Sequence, residues 1–297
     1  NLSASPLLST AVGGVAALLL AGSNDQQHAL LPKVAAGELL LSLAVDETPR
    51  HNPSQVSTRL ESKGDGFVLN GRKQFVIDGH VADKLIVSAR SSGADSERDG
   101  ISLLLVDRTA AGVKVERVSM ADSRNAALVT FTDVAVAASD LLGEAGKGFD
   151  ALELTLDVVN GQLAAELLGL SLEAFERTVA YLQERKQFGV TLSSFQGLQH
   201  RCAHLFSELE LVKSVVLKAL MALDEGDEDA SMLVSLAKAK ASEVAELATN
   251  EAVQMHGGMG MTDEFDIGLF MKRARCVQAL FGDFRYHANR FALLRGY

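Results

Sequence analysis

The sequence predicts an α+β protein, with helices at both ends of the chain and a β-rich domain between them. Three observations carry that expectation. From about residue 150 onward apolar residues recur at three- and four-residue spacing, the period of helices that bury one face. Between about 39 and 136 the pattern changes to short runs, GFVLNGRKQFVI, KLIVSAR, ISLLLVD, VKVERV and ALVTFTDV, parted by Gly, Asp, Asn and Ser as strands are. Residues 5–36 are dominated by Ala and Leu and read as helix again. The expected domains are therefore a helical domain at 1–38, a middle β domain at 39–140 and a C-terminal helical bundle domain at 141–297.

In the first stretch the most apolar run, AVGGVAALLLAG at 11–22, is about a dozen residues long, short of the roughly 20 that span a bilayer. No basic leader precedes it, so it reads as a buried helix, with Asp25, Pro32 and Gly37 as later punctuation. The chain opens inside an apolar pattern without a starting methionine, and an upstream segment is expected to have been removed or left out. In the middle domain LNGRK at 69–73 predicts a tight hairpin, because Asn-Gly accepts the positive φ angles of a primed turn. Beyond LLGEAGKGFD at 141–150, helices are expected at 150–184, 194–224, 228–256 and 263–295, packed as an antiparallel bundle. The first should end near Gly189, and Ser193 or Ser194 should cap the second.

Composition narrows the function. Of 297 residues, 47% are apolar and 22% charged, a balance that suits a globular protein able to bury further surface against a partner. The net charge of −10 and pI near 5.2, with basic residues scattered, argue against a nucleic-acid partner. Cys202 and Cys276 lie on expected helices with no CxxC or His-rich neighbourhood; they form neither a disulfide framework nor a metal site, and a reducing cytoplasm is the expected location.

Two stretches carry chemistry. QMHGGMGMTDEF at 254–265 spends three glycines between helices, each at roughly 0.5–1 kcal/mol against alanine within a helix. Bare backbone N–H groups near a helix end suit a bulky anion, while the plain alternative is an interhelical turn. In ERKQFGVTLSSFQGLQH at 184–200, Arg185 stands near a helix end, where a guanidinium reaches a phosphate or carboxylate bidentately or else joins a surface salt bridge. His204 and His256 have no carboxylate placed by spacing and read as packing or interface residues.

YLQERKQFG followed by FQGLQ, and QMHGGMGMTDEFDIGLFMKRAR some 55 residues later, resemble the two signature stretches of the C-terminal domain of acyl-CoA dehydrogenases. LPKVAAGELLLSLAVDE, GDGFVLNGRKQFVIDGHVADKLIVSAR and FTDVAVAASDLLGEAGKGF have counterparts in that family in the same order, so the resemblance covers nearly the whole chain. It implies an N-terminal helical domain, here partial, a middle β-barrel domain and a C-terminal four-helix bundle, with FAD held across an oligomer interface. It assigns the ADP half of FAD to Arg185, Phe188, Gln196, Gln254, Gly257 and Gly258, and the flavin ring side to the segment holding Phe75 and Ile77. It further implies an acyl-CoA substrate, an electron-transfer acceptor, and a homo- or hetero-oligomeric dimer or tetramer assembled through the C-terminal helices, whose contact should bury well over about 1,000 Å².

The chain departs from the family pattern at the reacting end. Counted without gaps from Gln254, the stretch that carries the proton-abstracting carboxylate falls at Phe281, Gly282, Asp283 and Phe284, with Phe281 at the base position. The alternative base position in the first bundle helix holds Val159 and Asn160. Asp283 is the nearby carboxylate and the catalytic candidate, but two residues on along a helix it is turned by about 200°, and an ion pair with Arg285 or Arg290 is the competing reading. On the ring side the family's Thr-Glu-Pro stretch appears as VDETPRHNPSQVS without its glycine, and its Trp-Ile-Thr as Phe75, Val76 and Ile77, which offers no hydroxyl. These losses beside an intact ADP side point to a subunit that completes a partner's FAD site in a hetero-oligomer. A non-catalytic acyl-CoA-binding or scaffolding homologue, and a flavin monooxygenase on the same fold, are the alternatives.

Overall fold

The computed structural model describes residues 2–262 and 264–297; Asn1, which opens the expected first domain, and Asp263, which opens the expected fourth bundle helix, lie outside the described residues. The chain divides into two compact units, one of Ala4–Val159 and one of Asn160–Tyr297 with the residues before Ala4.

The first unit begins with a π-helical stretch, Leu7–Gly14, that runs directly into α1 (Val15–Ala21). Gly14 is required there, because a Cβ would lie 2.6 Å from that of Leu41 on the first strand. α2 (Asn24–Ala35) starts afresh from a capping box in which Ser23 and Gln26 each accept the other's backbone N–H. The continuous helix expected over 5–36 is thus broken at Gly22–Ser23, and Pro32 lies inside α2 rather than ending it.

Eight strands form one mixed sheet: β1 (Leu41–Ala44), β2 (Arg59–Lys63), β3 (Gly66–Ile77), β4 (Lys84–Arg90), β5 (Ile101–Asp107), β6 (Val113–Ser119), β7 (Asn125–Ala137) and β8 (Leu141–Leu142). Their order is β6-β7-β3-β2-β4-β5-β8, with β1 parallel to β4. Among the described residues no ladder joins β6 to β8, and β6 carries exposed Lys114, Glu116 and Arg117, the charges that discourage an edge strand from pairing further. Leu69, Val76, Leu85, Leu104, Val129 and Phe131 build the core over the sheet.

Asn70-Gly71 does not turn the chain. β3 passes through it with a shift of register against β7, and Gly71 is kept because a Cβ would sit 2.5 Å from Thr58 Oγ1. The hairpin turn lies at Gly64-Asp65 instead, where Lys63 pairs with Gly66 and Gly64 takes φ 59°. Both dipeptides suit a two-residue turn, and the ladder from β3 to β7 decides between them.

α3 (Phe149–Glu184) leads into the second unit, followed by a short hairpin of β9 (Lys186–Gln187) and β10 (Val190–Thr191), then α4 (Gln196–Glu225), α5 (Ala230–His256), α6 (Ile267–Ala279) and α7 (Phe284–Leu294). α4 buries Leu205, Leu209, Val212, Val216 and Ala219 at helical spacing and ends on Gly226 in the left-handed conformation. The short link to α5 makes these two helices antiparallel neighbours. α3 ends at Glu184, where its apolar spacing places it, and the next residues pair as a hairpin, so Gly189 lies beyond its end. Two boundaries differ from expectation. Phe195, without a side-chain cap, precedes α4, while Ser194 Oγ donates to the Thr191 carbonyl and Ser193 bonds Thr191 Oγ1. The last helix is two, since Phe281 and Gly282 take φ 49° and 111° and a Cβ on Gly282 would lie 2.4 Å from Tyr286 Cδ1. No helix among the described residues is long and apolar enough to cross a membrane.

Candidate functional site

Phe188 and Gly189 form the tip of the β9–β10 hairpin with φ 55° and 82°. Two consecutive positive φ angles make a primed two-residue turn, which glycine takes freely and phenylalanine at a cost of about 1–3 kcal/mol. Packing offsets little of that cost: Phe188 is 90% exposed, its ring edge-on to Phe195 at 6.2 Å. A strained backbone presenting a bare ring suits stacking on an external flat group.

Arg185 leads into this hairpin. Its N–H donates to the Tyr181 carbonyl, while its exposed guanidinium joins no hydrogen bond or ion pair among the described residues, so it is not spent on the surface salt bridge that competed for it. One turn earlier, Tyr181 stacks on His256 at 4.3 Å and donates its hydroxyl to the His256 carbonyl. Tyr181 thereby ties the end of α3 to the end of α5, and Arg185 arrives at the same end of the unit as the glycines. His256 is buried, with Nδ1 against the Ala252 carbonyl, and is a packing residue; His204 is exposed on α4.

The three glycines have three separate reasons. Gly257 takes φ 60° and ψ −139°, a region closed to other residues. Gly260 is packed so tightly that a Cβ would lie 2.7 Å from the Val253 carbonyl oxygen. Gly258 has an ordinary φ and nothing within 4 Å of where its Cβ would be, so the chain itself does not need it bare. The space beside it is open. Arg185, Phe188, Gln196, Gln254, Gly257 and Gly258 are all exposed.

In the first unit a buried ion pair organises the 45–57 loop. Lys73 Nζ, fully buried, donates to Glu47 Oε1 at 2.7 Å, to the Val45 carbonyl and to Ser88 Oγ, and Glu47 also accepts from the Ser57 and Thr58 N–H groups. Burial holds the lysine below its ordinary value against the pull of Glu47. Burial alone would raise Glu47, but Lys73 and the hydrogen bonds from 57 and 58 outweigh it and leave the carboxyl below its usual range. Next to Lys73, β3 shifts register against β7 and Phe75 takes φ 50°, which turns its ring out to solvent while Val76 enters the core. Ile77 is half-buried, its carbonyl accepting from Ser42 Oγ. Neither the Glu47–Lys73 pair nor its grip on the loop was read from the sequence; a lysine in the middle of an apolar strand was the available signal.

The reacting end looks different. Phe281 is buried, and Val159 and Asn160 are buried too. Asp283 precedes α7 as its N-cap and accepts from the Tyr286 N–H at 2.9 Å. The helical rotation expected between 281 and 283 therefore does not apply, because the chain is not helical there; Asp283 is instead occupied with capping. Arg290 is directed to the Ser231 carbonyl and Ser235 Oγ. The link from α6 to α7 is gripped from both sides: Lys238 Nζ donates to the carbonyls of Gln278, Leu280 and Gly282 at 3.3, 3.0 and 3.0 Å, and His287 Nε2 lies 3.1 Å from the Phe281 carbonyl. Burial pushes the Lys238 ammonium down to about 7, partly opposed by Asp283. Beside the link a cavity of about 630 Å³ is lined by Ser242, Glu246, Asn250, Gln278, Asp283 and Arg285, among others.

Two family models match the chain: acyl-CoA dehydrogenase, middle domain, over residues 46–134, and acyl-CoA dehydrogenase, C-terminal domain, over 146–292. A probable acyl-CoA dehydrogenase of Bacillus subtilis is 31% identical over 270 residues, covering 89% of this chain and 70% of that protein. The bovine mitochondrial short/branched chain specific acyl-CoA dehydrogenase is 31% identical over 258 residues, covering 86% of this chain and 59% of its own length. Butyryl-CoA dehydrogenase from Megasphaera elsdenii superimposes with a TM-score of 0.92 at 28% identity, covering 98% of this chain and 77% of that one.

Proposed function

The chain belongs to the acyl-CoA dehydrogenase family, and from that premise we propose that it is the FAD-completing subunit of an oligomer that α,β-dehydrogenates an acyl-CoA thioester. The observation that carries the reading is the contrast between its two ends: Arg185 is exposed with an uncommitted guanidinium and Gly258 is bare without an internal reason, while Phe281 offers no carboxylate and Asp283 caps a helix.

The residues present fit the ADP half of FAD. Arg185 supplies a forked, permanently charged donor for the pyrophosphate. Gly257 and Gly258 let backbone approach it, Phe188 offers a face to the adenosine side, and Gln196 and Gln254 are exposed amides within the same stretches. When bound, FAD supplies the hydride acceptor for the β-hydrogen. Phe75 presents an apolar ring on the ring-side segment, and Ile77 contributes no hydroxyl. The α-proton requires a base that neither Phe281 nor Asn160 provides, so a partner subunit of hetero-oligomeric composition supplies it, and an electron-transfer acceptor reoxidises the assembly.

The test is the visible absorption spectrum of this chain purified alone and then together with partner chains encoded beside it. Flavin bands and acyl-CoA turnover are expected only in the assembly, and an assembly that forms without flavin sinks the proposal. The glycines sharpen the result. Gly260→Ala should lower stability by about 1–3 kcal/mol through its clash with the Val253 carbonyl. Gly258→Ala should leave the melting temperature unchanged and weaken flavin retention. Equal retention in Gly258→Ala and the unaltered chain would show that the open face holds nothing.

A further inference from the structure

We propose that Lys238 is a positioning residue for the α6–α7 link, and that its grip on three carbonyls, one in the last turn of α6 and two in the link, is what holds Phe281 and Asp283 in place and is released when the ammonium loses its proton. The geometry carries this. Lys238 is fully buried on α5, and its three N–H bonds go to the carbonyls of Gln278, Leu280 and Gly282, alternate residues that straddle the left-handed Phe281. An ammonium has three donors. The neutral amine keeps two and turns its lone pair toward the third carbonyl, so the grip depends on charge, and an uncharged side chain of similar length cannot reproduce it. Asp283 is the counter-charge that bears on Lys238 from the link. From α7, His287 holds the Phe281 carbonyl and Arg290 bonds Ser235 and Ser231, one and two turns from Lys238. From α6, Arg273 is paired with Glu166 and Arg275 with Glu246, and from α4, Glu208 is paired with Lys240, so these charges are matched elsewhere.

Burial already brings the ammonium down to about 7, which places the release within the working range of a cell. The sign matters. A lysine whose folded value is depressed binds its proton more weakly in the folded chain than in the unfolded one, so its contribution to global stability rises as pH goes from about 7 toward the ordinary lysine value near 10.5. Local order in the link, with the amine still buried, moves the opposite way and is lost as pH rises through about 7. That opposition separates a clamp from a merely structural lysine.

Where the link serves the dehydrogenase site, this inference rests on the proposed function; the clamp itself does not, and the experiment keeps the two apart. Hydrogen exchange is followed at the Tyr286 and His287 amides, which bond Asp283 at the start of α7, in the full chain from pH 6 to 9, corrected for intrinsic exchange. Protection is expected to fall at least about tenfold across the range in the unaltered chain, to be low and flat in Lys238→Met, and to be restored by neither pH extreme in that variant. If Lys238→Met does not fold, the pH series of the unaltered chain decides alone. Flat protection from pH 6 to 9 in the unaltered chain overturns the clamp, as does a folded Lys238→Met with unaltered protection. A chain that fails to bind FAD in every assembly yet shows the protection loss keeps the clamp and discards the dehydrogenase reading.

Discussion

Arg185→Ala is expected to weaken FAD retention by the assembled protein roughly 10- to 150-fold, the equivalent of one charge-assisted contact worth about 1.5–3 kcal/mol. The expectation is large because this guanidinium is exposed and no carboxylate among the described residues pairs with it. For the same reason the substitution should leave folding intact, since no internal bond is lost. Asp283→Asn is the matched control. Asparagine caps a helix about as well as aspartate, so the bond to the Tyr286 N–H survives, and at a pH low enough to keep Lys238 charged without this counter-charge both stability and turnover should change little. The comparison is bound flavin and acyl-CoA turnover for both variants in the most active assembly. Loss of turnover in Asp283→Asn with flavin still bound would show that this subunit carries the base itself.

Arg90→Met is expected to destabilise the first unit by about 3 kcal/mol, the upper end of the cost of leaving a buried acceptor without its donor. Arg90 is buried, and its guanidinium donates to six backbone carbonyls, those of Ser54, Val56, Ser92, Asp95, Glu97 and Asp99. One side chain thus gathers two loops, the end of the 45–57 segment and the 91–99 turn, which have no regular ladder of their own. Methionine keeps the length and removes every donor. The Val56 carbonyl belongs to a fully buried residue and cannot turn to water, whereas those of Glu97 and Asp99 lie in exposed loop, which keeps the cost below the sum of six lost bonds. Urea unfolding followed by circular dichroism measures it. A loss under about 1 kcal/mol would mean that the loops hold themselves.

The order of helix, strand and helix was legible because periodicity is local. α3, α4 and α5 fall within a few residues of where their apolar spacing places them, and the β region contains its sheet. The family was legible because its two signature stretches, around Arg185 and around Gly257, stand in the sequence in their order and spacing.

Choices between locally equal options were not legible. Asn70-Gly71 and Gly64-Asp65 both suit a tight turn, and only the long ladder between β3 and β7 makes the first a bulge and leaves the turn to the second. The segment from Phe281 to Asp283 reads as continuous helix from its neighbours, and it breaks because Tyr286, His287 and Lys238 close around it. The lysines of AKAKASE show the difference most plainly. Lys238 and Lys240 have the same neighbours and the same chemistry, but two positions along a helix turn a side chain by about 200°. Lys240 emerges beside Glu208 and Glu243, and Lys238 is driven inward onto three carbonyls. The sequence determined that both would lie on one helix. Which of them became a surface ion pair and which a buried clamp was decided by the helices that pack against it, because burial is a property of the assembled faces and not of the residues that compose them.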